Sequence, residues 1–191
     1  MRRRWIVSAV IGVFFFGVQA ALGAPGAAGY RLKGPDIVLP PDVPLGQYRR
    51  SFQPFPNWTL VCDQNLKTQQ VVCNVSQTLV DTKGRQVFSW SLAAEEGGRP
   101  YFILRTALNA DTRAGIELQT ANATEPINVP FKGCNQQVCL GMTPILPALS
   151  DEIERGSDVV VTYRMRTGER RTYSLPLKGL KEAVAAIGTV H

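Results

Sequence analysis

Four cysteines are the residues of this chain whose types and spacing most directly suggest chemistry. Ten residues separate Cys62 from Cys73, and four separate Cys134 from Cys139. Four cysteines allow three pairings, and sequence alone does not choose among them. Spacing favours local pairing, because each pair closes one short loop between strands predicted to be adjacent, within the Cα separation that a disulfide needs. We therefore predict two structural disulfides, Cys62 with Cys73 and Cys134 with Cys139.

A metal or redox centre is the alternative use of these cysteines. Structural zinc sites need closely spaced cysteine pairs with further Cys or His ligands. The Cys134 and Cys139 pair fits this spacing marginally, the other pair does not, and the one histidine is the terminal His191. A thioredoxin-like dithiol needs two cysteines separated by two residues, and the chain has none. The sequence predicts no metal and no cofactor.

Nucleophilic catalysis is disfavoured by the scarcity of histidine. Triads need a base that titrates near neutral pH, and the chain offers only His191. Carboxylate pairs remain an option, and the acidic clusters are Glu95 with Glu96, and Asp151 with Glu152 and Glu154. Both clusters lie in predicted loop or helix-surface contexts, where solvated charge is the usual explanation. Because no phosphate-binding loop, His-Glu-x-x-His or Gly-x-Ser-x-Gly motif occurs either, we predict no catalytic residues.

Two tryptophans, Trp58 and Trp90, allow two interpretations. On the surface they would form an aromatic platform for a ligand. In a β-sandwich, an inward-facing tryptophan beside a disulfide is more often part of the core. We favour the core interpretation and leave the binding residues unassigned.

Residues 1–23 have the composition of a signal peptide. Arginines at positions 2–4 precede an apolar stretch over 6–18, and small residues follow at the positions that a signal peptidase reads. We expect cleavage after Ala20 or Gly23. An uncleaved anchor is the alternative, since the uncharged stretch is long enough to cross a bilayer. Either outcome places the folded part outside the cytoplasm, periplasmic or secreted, where peripheral association with a membrane is allowed.

The remaining 168 residues suffice for one domain with a hydrophobic core. The leader removes three of 21 basic residues, so that 18 remain against 15 acidic ones and the charge falls from +6 to +3. Nucleic-acid binding needs a strongly basic face. The nearest approach is Arg164, Arg166, Arg170 and Arg171, flanked by Tyr163 and Tyr173. We expect these arginines on the solvent side of a hairpin and predict no nucleic-acid partner.

Residues 24–56 hold seven prolines. Proline lacks the amide that a strand ladder or helix interior needs, so this segment is predicted to be an extended, poorly ordered linker. Residues 57–188 form the predicted domain, in which short apolar alternation between turn residues indicates half-buried strands.

Nine strands and two short helices are predicted in that domain. The strands are Trp58–Cys62, Val71–Leu79, Gln86–Ala93, Tyr101–Thr106, Gly115–Gln119, Ile127–Phe131, Val138–Thr143, Asp158–Arg166 and Arg170–Leu177. The helices are Pro147–Arg155, with Ser150 or Asp151 as its cap, and Leu180–Ile187, entered through Gly179. Many short strands with few helices predict an all-β, antiparallel β-sandwich.

Four segments together resemble the bacterial invasion-associated locus B family by their order and spacing. They are Asn57–Cys62, Val72–Gln77, the pair Cys134 and Cys139 after Val129–Phe131, and Leu177–Ala183. The resemblance covers roughly residues 55–188, and it departs at Leu180, where an aromatic is expected. The Cys134–Cys139 loop also lacks the glycine often found before its second cysteine. The resemblance implies an exported, immunoglobulin-like β-sandwich of the envelope, linked to virulence in its founding members, without a known molecular activity.

Three classes of function stay open. We favour an exported, non-catalytic interaction module that binds an envelope or host protein or glycan and is linked to host invasion by the resemblance. The alternatives are a structural or stress-protective periplasmic protein and an envelope hydrolase that uses carboxylates. An exposed apolar or aromatic patch would mark the first class and a uniformly polar surface the second. A pocket with convergent carboxylates would mark the third.

Overall fold

Alternating apolar and polar residues build most of the chain into strands. The computed structural model describes residues 29–34, 46–94 and 99–188, which form twelve strands and two helices. The strands are β1 Tyr30–Lys33, β2 Tyr48–Phe55, β3 Trp58–Asn65, β4 Val71–Asp81, β5 Gln86–Ala94, β6 Pro100–Thr106, β7 Ile116–Gln119, β8 Ile127–Val129, β9 Phe131–Cys134, β10 Cys139–Pro144, β11 Asp158–Arg164 and β12 Arg170–Pro176. The helices are α1 Pro147–Arg155 and α2 Leu180–Ile187. The predicted leader, Glu95, Glu96 and His191 lie outside the described residues.

Two antiparallel sheets contain these strands. The larger has the order β2-β3-β4-β5-β6-β10-β9, with β1 paired to the far end of β4, and the smaller has the order β12-β11-β7-β8. Buried side chains from both sheets form one hydrophobic cluster. The predicted all-β sandwich with two short helices is therefore confirmed.

The predicted linker over residues 24–56 is wrong in two places. Strand β1 pairs with β4, and β2 pairs with β3 along its whole length. Pro54 lies in β2, which is an edge strand among the described residues, and a missing amide is tolerated at an edge. Pro56 then forms the two-residue turn into β3 together with Asn57, which has a φ of 64°.

One predicted strand, Ile127–Phe131, divides between the two sheets. Residues before Pro130 pair with β7 as β8, and residues after it pair with β10 as β9. Proline interrupts a ladder because it has no amide to donate. The chain therefore changes sheets at this residue and delivers Cys134 to the edge of the larger sheet.

Both helices have the predicted bounds, but the predicted caps of α1 are wrong. The N-cap is Leu146, without a side-chain hydrogen bond, and Pro147 follows it, where its fixed φ suits a helix start. Helix α2 begins after Gly179, whose φ is 96°. A Cβ at this glycine would lie 2.0 Å from the carbonyl oxygen of Pro56, so only glycine lets α2 dock on the β2–β3 turn.

Neither helix in the described part of the chain has the length and apolar character required to cross a membrane.

Candidate functional site

The inner face of the larger sheet carries an aromatic cluster. Trp58 and Trp90 are 2% and 0% exposed, and their rings stack with centroids 5.5 Å apart. The ring of Phe102 stacks on Trp90 at 4.9 Å. The core interpretation of the two tryptophans is confirmed, and they form no ligand platform.

A buried amide satisfies the polar atoms of this cluster. Gln77 accepts a hydrogen bond from Nε1 of Trp90 at 2.9 Å. Its own Nε2 donates to the carbonyl oxygens of Asn57 and Pro176, at 3.1 and 3.0 Å, and Nε1 of Trp58 donates to Pro176 at 3.2 Å. Because Pro176 ends β12, this network joins the larger sheet to the smaller one.

The outer face of the same strands forms a recess of about 760 Å³, which we call the outer groove. Its volume falls in the range of small-ligand sites, roughly 300–1,000 Å³. Residues that line it include Asn74, Ser76, Thr78, Ser89, Ser91, Ile103, Arg105, Asn135, Gln137, Val138, Leu140 and Met142. None of the described residues that line the groove is acidic.

The register of β4, β5 and β6 explains why this surface is recessed. Thr78, Ser89 and Arg105 lie side by side on β4, β5 and β6. In the next row, Ser76 and Ser91 lie beside one another. Short side chains on β4 and β5 leave a low surface beside the longer side chains of β6 and β10.

Arg105 is the only cationic side chain among the described residues that line the outer groove. Its Nη1 donates to Oγ of Ser91 at 2.8 Å and to the carbonyl oxygen of Ile103 at 3.5 Å. Within the described residues no carboxylate pairs with it, and its Nε and Nη2 make no hydrogen bond. Burial lowers the pKa of the Arg105 guanidinium from its usual value, because a low-dielectric environment disfavours the charged form.

The Cys134–Cys139 disulfide holds one wall of the groove. The two cysteines are directly opposite each other on β9 and β10, with Cα atoms 3.9 Å apart. Between them, Oδ1 of Asn135 accepts hydrogen bonds from the amides of Gln137 and Val138, both at 2.8 Å. This is an Asx-type turn, which fixes the loop that rises beside the groove.

The second disulfide joins Cys62 to Cys73 on β3 and β4, with Cα atoms 4.1 Å apart. Cys62 is buried with the core cluster. The structure therefore has the local pairing that spacing favours, and it leaves no cysteine free. Among the described residues, no group of three or more His, Cys, Asp or Glu side chains is placed so that it could hold a metal ion.

A smaller recess of about 330 Å³ continues from the outer groove. The two share Met142, and the smaller one is also lined by Arg99 and Lys132. No acidic side chain lines it among the described residues. Among the described residues, Lys132 on β9 therefore places a cationic side chain in the recess next to the outer groove.

The acidic cluster of α1 does not converge on a recess. Glu152 is 1% exposed and pairs with Arg155 at 2.8 Å, which holds the pKa of this carboxyl below its usual value. Its Oε1 also accepts a hydrogen bond from Asn122. Glu154 pairs with Lys181 across to α2, and Asp151 is exposed on the surface. These contacts give Glu152 and Glu154 structural roles.

The arginines of the β11–β12 hairpin are only partly where the sequence predicts them. Arg164, Arg166 and Arg170 are exposed, as expected. Arg171 instead shares the inner face of β12 with Tyr173, and its Nη1 donates to the hydroxyl of Tyr30 on β1 at 2.9 Å. Strand alternation places odd-numbered residues of β12 inward, so this arginine is half-buried.

The outer groove is not among the features that the sequence predicts. A signal was present: serine or threonine occupies alternate positions 76 and 78 on one strand, and 89 and 91 on the next. Alternate small polar residues on paired strands indicate a low outward surface. The position of Arg105 beside them depends on the register of β5 with β6, which the sequence does not state.

Comparison with known proteins agrees with the fold and with the family resemblance of the sequence. The family model described as Invasion associated locus B (IalB) protein matches residues 58–188. Among solved structures, the crystal structure of invasion associated protein B from Bartonella henselae is similar, with a TM-score of 0.60 and 14% identity over 73% of this chain and 96% of that chain. At this identity the likeness concerns the fold alone. No curated protein sequence matches the chain. Because the family match spans most of its length, the chain belongs to the Invasion associated locus B (IalB) protein family.

Proposed function

We propose that this protein is an exported, non-catalytic interaction module of the bacterial envelope, and that it binds its partner in the outer groove. Membership of the family indicates an invasion-associated envelope protein. The partner would be an envelope or host molecule that the protein meets in the periplasm or after secretion.

The observation that carries this proposal is a recess of ligand size that folding does not require. The groove has a volume of about 760 Å³ and a lining rich in hydroxyl and amide groups. Arg105 is half-buried there without a carboxylate partner among the described residues. A polar surface with an uncompensated charge has a desolvation cost that apolar residues would avoid, which supports a role in recognition.

The absence of catalysis is part of the proposal. Two of the three described acidic residues on α1 are engaged in ion pairs, and no acidic side chain lines the outer groove in the part of the chain that the structure describes. A carboxylate hydrolase needs two carboxyl groups that face one bound substrate. The described groove therefore favours binding over hydrolysis.

A substitution that fills the groove tests the proposal. Ser76 lies on the groove-lining face of β4, so Ser76→Trp would occupy the recess without disturbing the core. Ser174→Trp is the matched control, because Ser174 is exposed on β12 in the smaller sheet. We expect the labelled wild-type protein and Ser174→Trp to bind isolated envelopes or host-cell surfaces, and Ser76→Trp to lose most binding at unchanged melting temperature. Equal binding by Ser76→Trp would contradict the proposed site.

A further inference from the structure

We propose that the outer groove binds a glycan that carries carboxylate groups, and that Arg105 holds one of these carboxylates through the Nε and Nη2 edge of its guanidinium. This inference rests on the proposed function of the groove and names the chemical class of its ligand.

Charge complementarity is the first argument. Several other arginines of the described chain are paired with carboxylates, among them Arg50 with Asp63, Arg85 with Asp81, Arg155 with Glu152 and Arg170 with Glu117. Arg49 and Arg166 have amide or carbonyl partners instead, but both are exposed to solvent. Arg105 has only a hydroxyl and a carbonyl oxygen as partners within the described residues. An anionic group on the ligand would supply the counter-charge that this half-buried guanidinium lacks among the described residues.

The geometry of the guanidinium indicates a carboxylate. Both hydrogen bonds of Arg105 come from Nη1, which orients the planar group and leaves the donors on Nε and Nη2. These two parallel donors match the two oxygens of a carboxylate. One guanidinium balances one carboxylate, whereas a phosphomonoester carries about −1.5 to −2 charges near neutral pH and would be left undercompensated.

The remaining lining suits a glycan because it has polar and apolar parts. Hydroxyls of Ser76 and Thr78 and the amide of Gln137 line the recess, and together they donate and accept hydrogen bonds, as the hydroxyls of a sugar require. Val138, Leu140 and Met142 supply apolar surface for the C–H groups of a sugar ring. Strands β4, β5 and β6 are each paired on both sides, so they offer no free ladder for a peptide strand.

The shape indicates an extended ligand. The groove crosses from β4 to β10, three strand spacings or about 14 Å, and continues into the recess that contains Lys132. An oligosaccharide that carries carboxylates on several of its sugars would place one carboxylate at Arg105 and another at Lys132.

Two matched pairs of probes test the proposal by titration calorimetry. These are tetragalacturonate and its methyl ester, and a hyaluronan tetrasaccharide and its carboxyl-reduced form. We expect at least one acidic probe to bind about tenfold or more tightly than its neutral partner, and salt to weaken only the acidic one because screening acts on charge. Equal binding within both pairs, or no binding by any probe, would overturn the proposal.

Substitutions at Arg105 test whether this residue causes the preference for the acidic probes. Arg105→Met should abolish the difference in affinity between acidic and neutral probes. Arg105→Lys should keep part of this difference, because lysine retains the charge but lacks the two parallel N–H donors of the guanidinium. Arg170→Met, on the smaller sheet, is the control and should leave the affinity unchanged. A preference that survives in Arg105→Met, with a wild-type melting temperature, would contradict the assignment. If Ser76→Trp loses envelope binding but none of the probes binds the wild-type protein, the groove is the binding site and the proposed class of ligand is wrong.

Discussion

The two faces of strands β4, β5 and β6 differ more from each other than the two sheets do. Facing inward, Gln77, Trp90 and Leu104 are buried in one cluster with complete hydrogen bonding of the glutamine and tryptophan. Facing outward, one residue along, Ser91 and Arg105 line the outer groove. A strand exposes alternate residues to opposite sides, so the same backbone supports stability on one side and recognition on the other.

This difference predicts which substitutions affect folding and which affect binding. Inward side chains contribute apolar burial and satisfied hydrogen bonds. Outward side chains that stay exposed contribute little to stability, because they contact solvent in the folded and in the unfolded chain. The following predictions test this separation, from the largest expected effect to the smallest.

Truncation of the aromatic core should have the largest effect. Trp90→Ala should lower the free energy of unfolding by about 3–5 kcal/mol, the range for a buried large aromatic. Ile103→Ala, on the outward face of neighbouring β6, should cost about 1 kcal/mol or less and serves as the control. Urea denaturation followed by circular dichroism measures both. Equal losses would show that the outer face also stabilises the fold.

The two disulfides should separate stability from binding. By the chain-entropy relation, Cys62→Ala with Cys73→Ala should cost about 3 kcal/mol, and Cys134→Ala with Cys139→Ala about 2 kcal/mol. Only the second pair should also weaken envelope binding, because only that disulfide holds the wall of the groove. Denaturation and binding measured on the same preparations decide this. Loss of binding in the Cys62 and Cys73 variant at a temperature where it is folded would contradict the separation.

Removal of the buried amide should have an intermediate effect. Gln77→Leu keeps the approximate size of the side chain but removes the partner of the indole N–H of Trp90 and of the carbonyl oxygen of Asn57. The carbonyl oxygen of Pro176 loses one of its two donors and keeps the bond from Trp58. An unsatisfied buried polar group costs about 1–3 kcal/mol. Thermal unfolding measures the loss, and Ser76→Ala, on the outward face of the same strand, is the control. A wild-type melting temperature for Gln77→Leu would show that the network is dispensable.

Removal of the groove cation should have the smallest effect on stability. Arg105→Met should leave the free energy of unfolding within about 1 kcal/mol of wild type, because it removes a charge whose burial is unfavourable and is not offset by a carboxylate. Chemical denaturation of the variant beside Arg105→Lys tests this. A loss of several kcal/mol would mean that Arg105 is a structural residue.

The sequence predicts the inner face well and the outer face poorly. Apolar alternation in β3, β5 and β11 marks the core, and the spacing of the cysteines indicates their pairing, because each of these features lies within a short stretch of chain. The groove combines Ser76, Ser91 and Arg105 from three strands, and the distance between them depends on register. Register is set by the pairing of whole strands, which local patterns do not specify.

The N-terminal segment also shows that local sequence patterns do not specify how whole strands pair. Prolines in residues 24–56 predict a linker, yet Tyr48–Phe55 forms a strand of eight residues, which lies at the edge of the sheet among the described residues. Proline only excludes ladder positions where its amide is needed, and whether a strand lies at an edge is decided by the whole sheet. Gly179 is a similar case, because the need for glycine at this position comes from contact with Pro56, which is distant in the sequence.

Chemical-shift mapping tests the central claim most directly. The ¹⁵N-labelled protein would be titrated with soluble polymers released from the native envelope, and its amide shifts recorded before and after addition. We predict changes confined to the outer groove, at Ser89, Ser91, Arg105, Gln137 and Leu140, with Thr172 and Ser174 of the smaller sheet unaffected. Changes centred on the smaller sheet, or none in the groove at saturating polymer, would contradict the assignment of recognition to the outer face of the larger sheet.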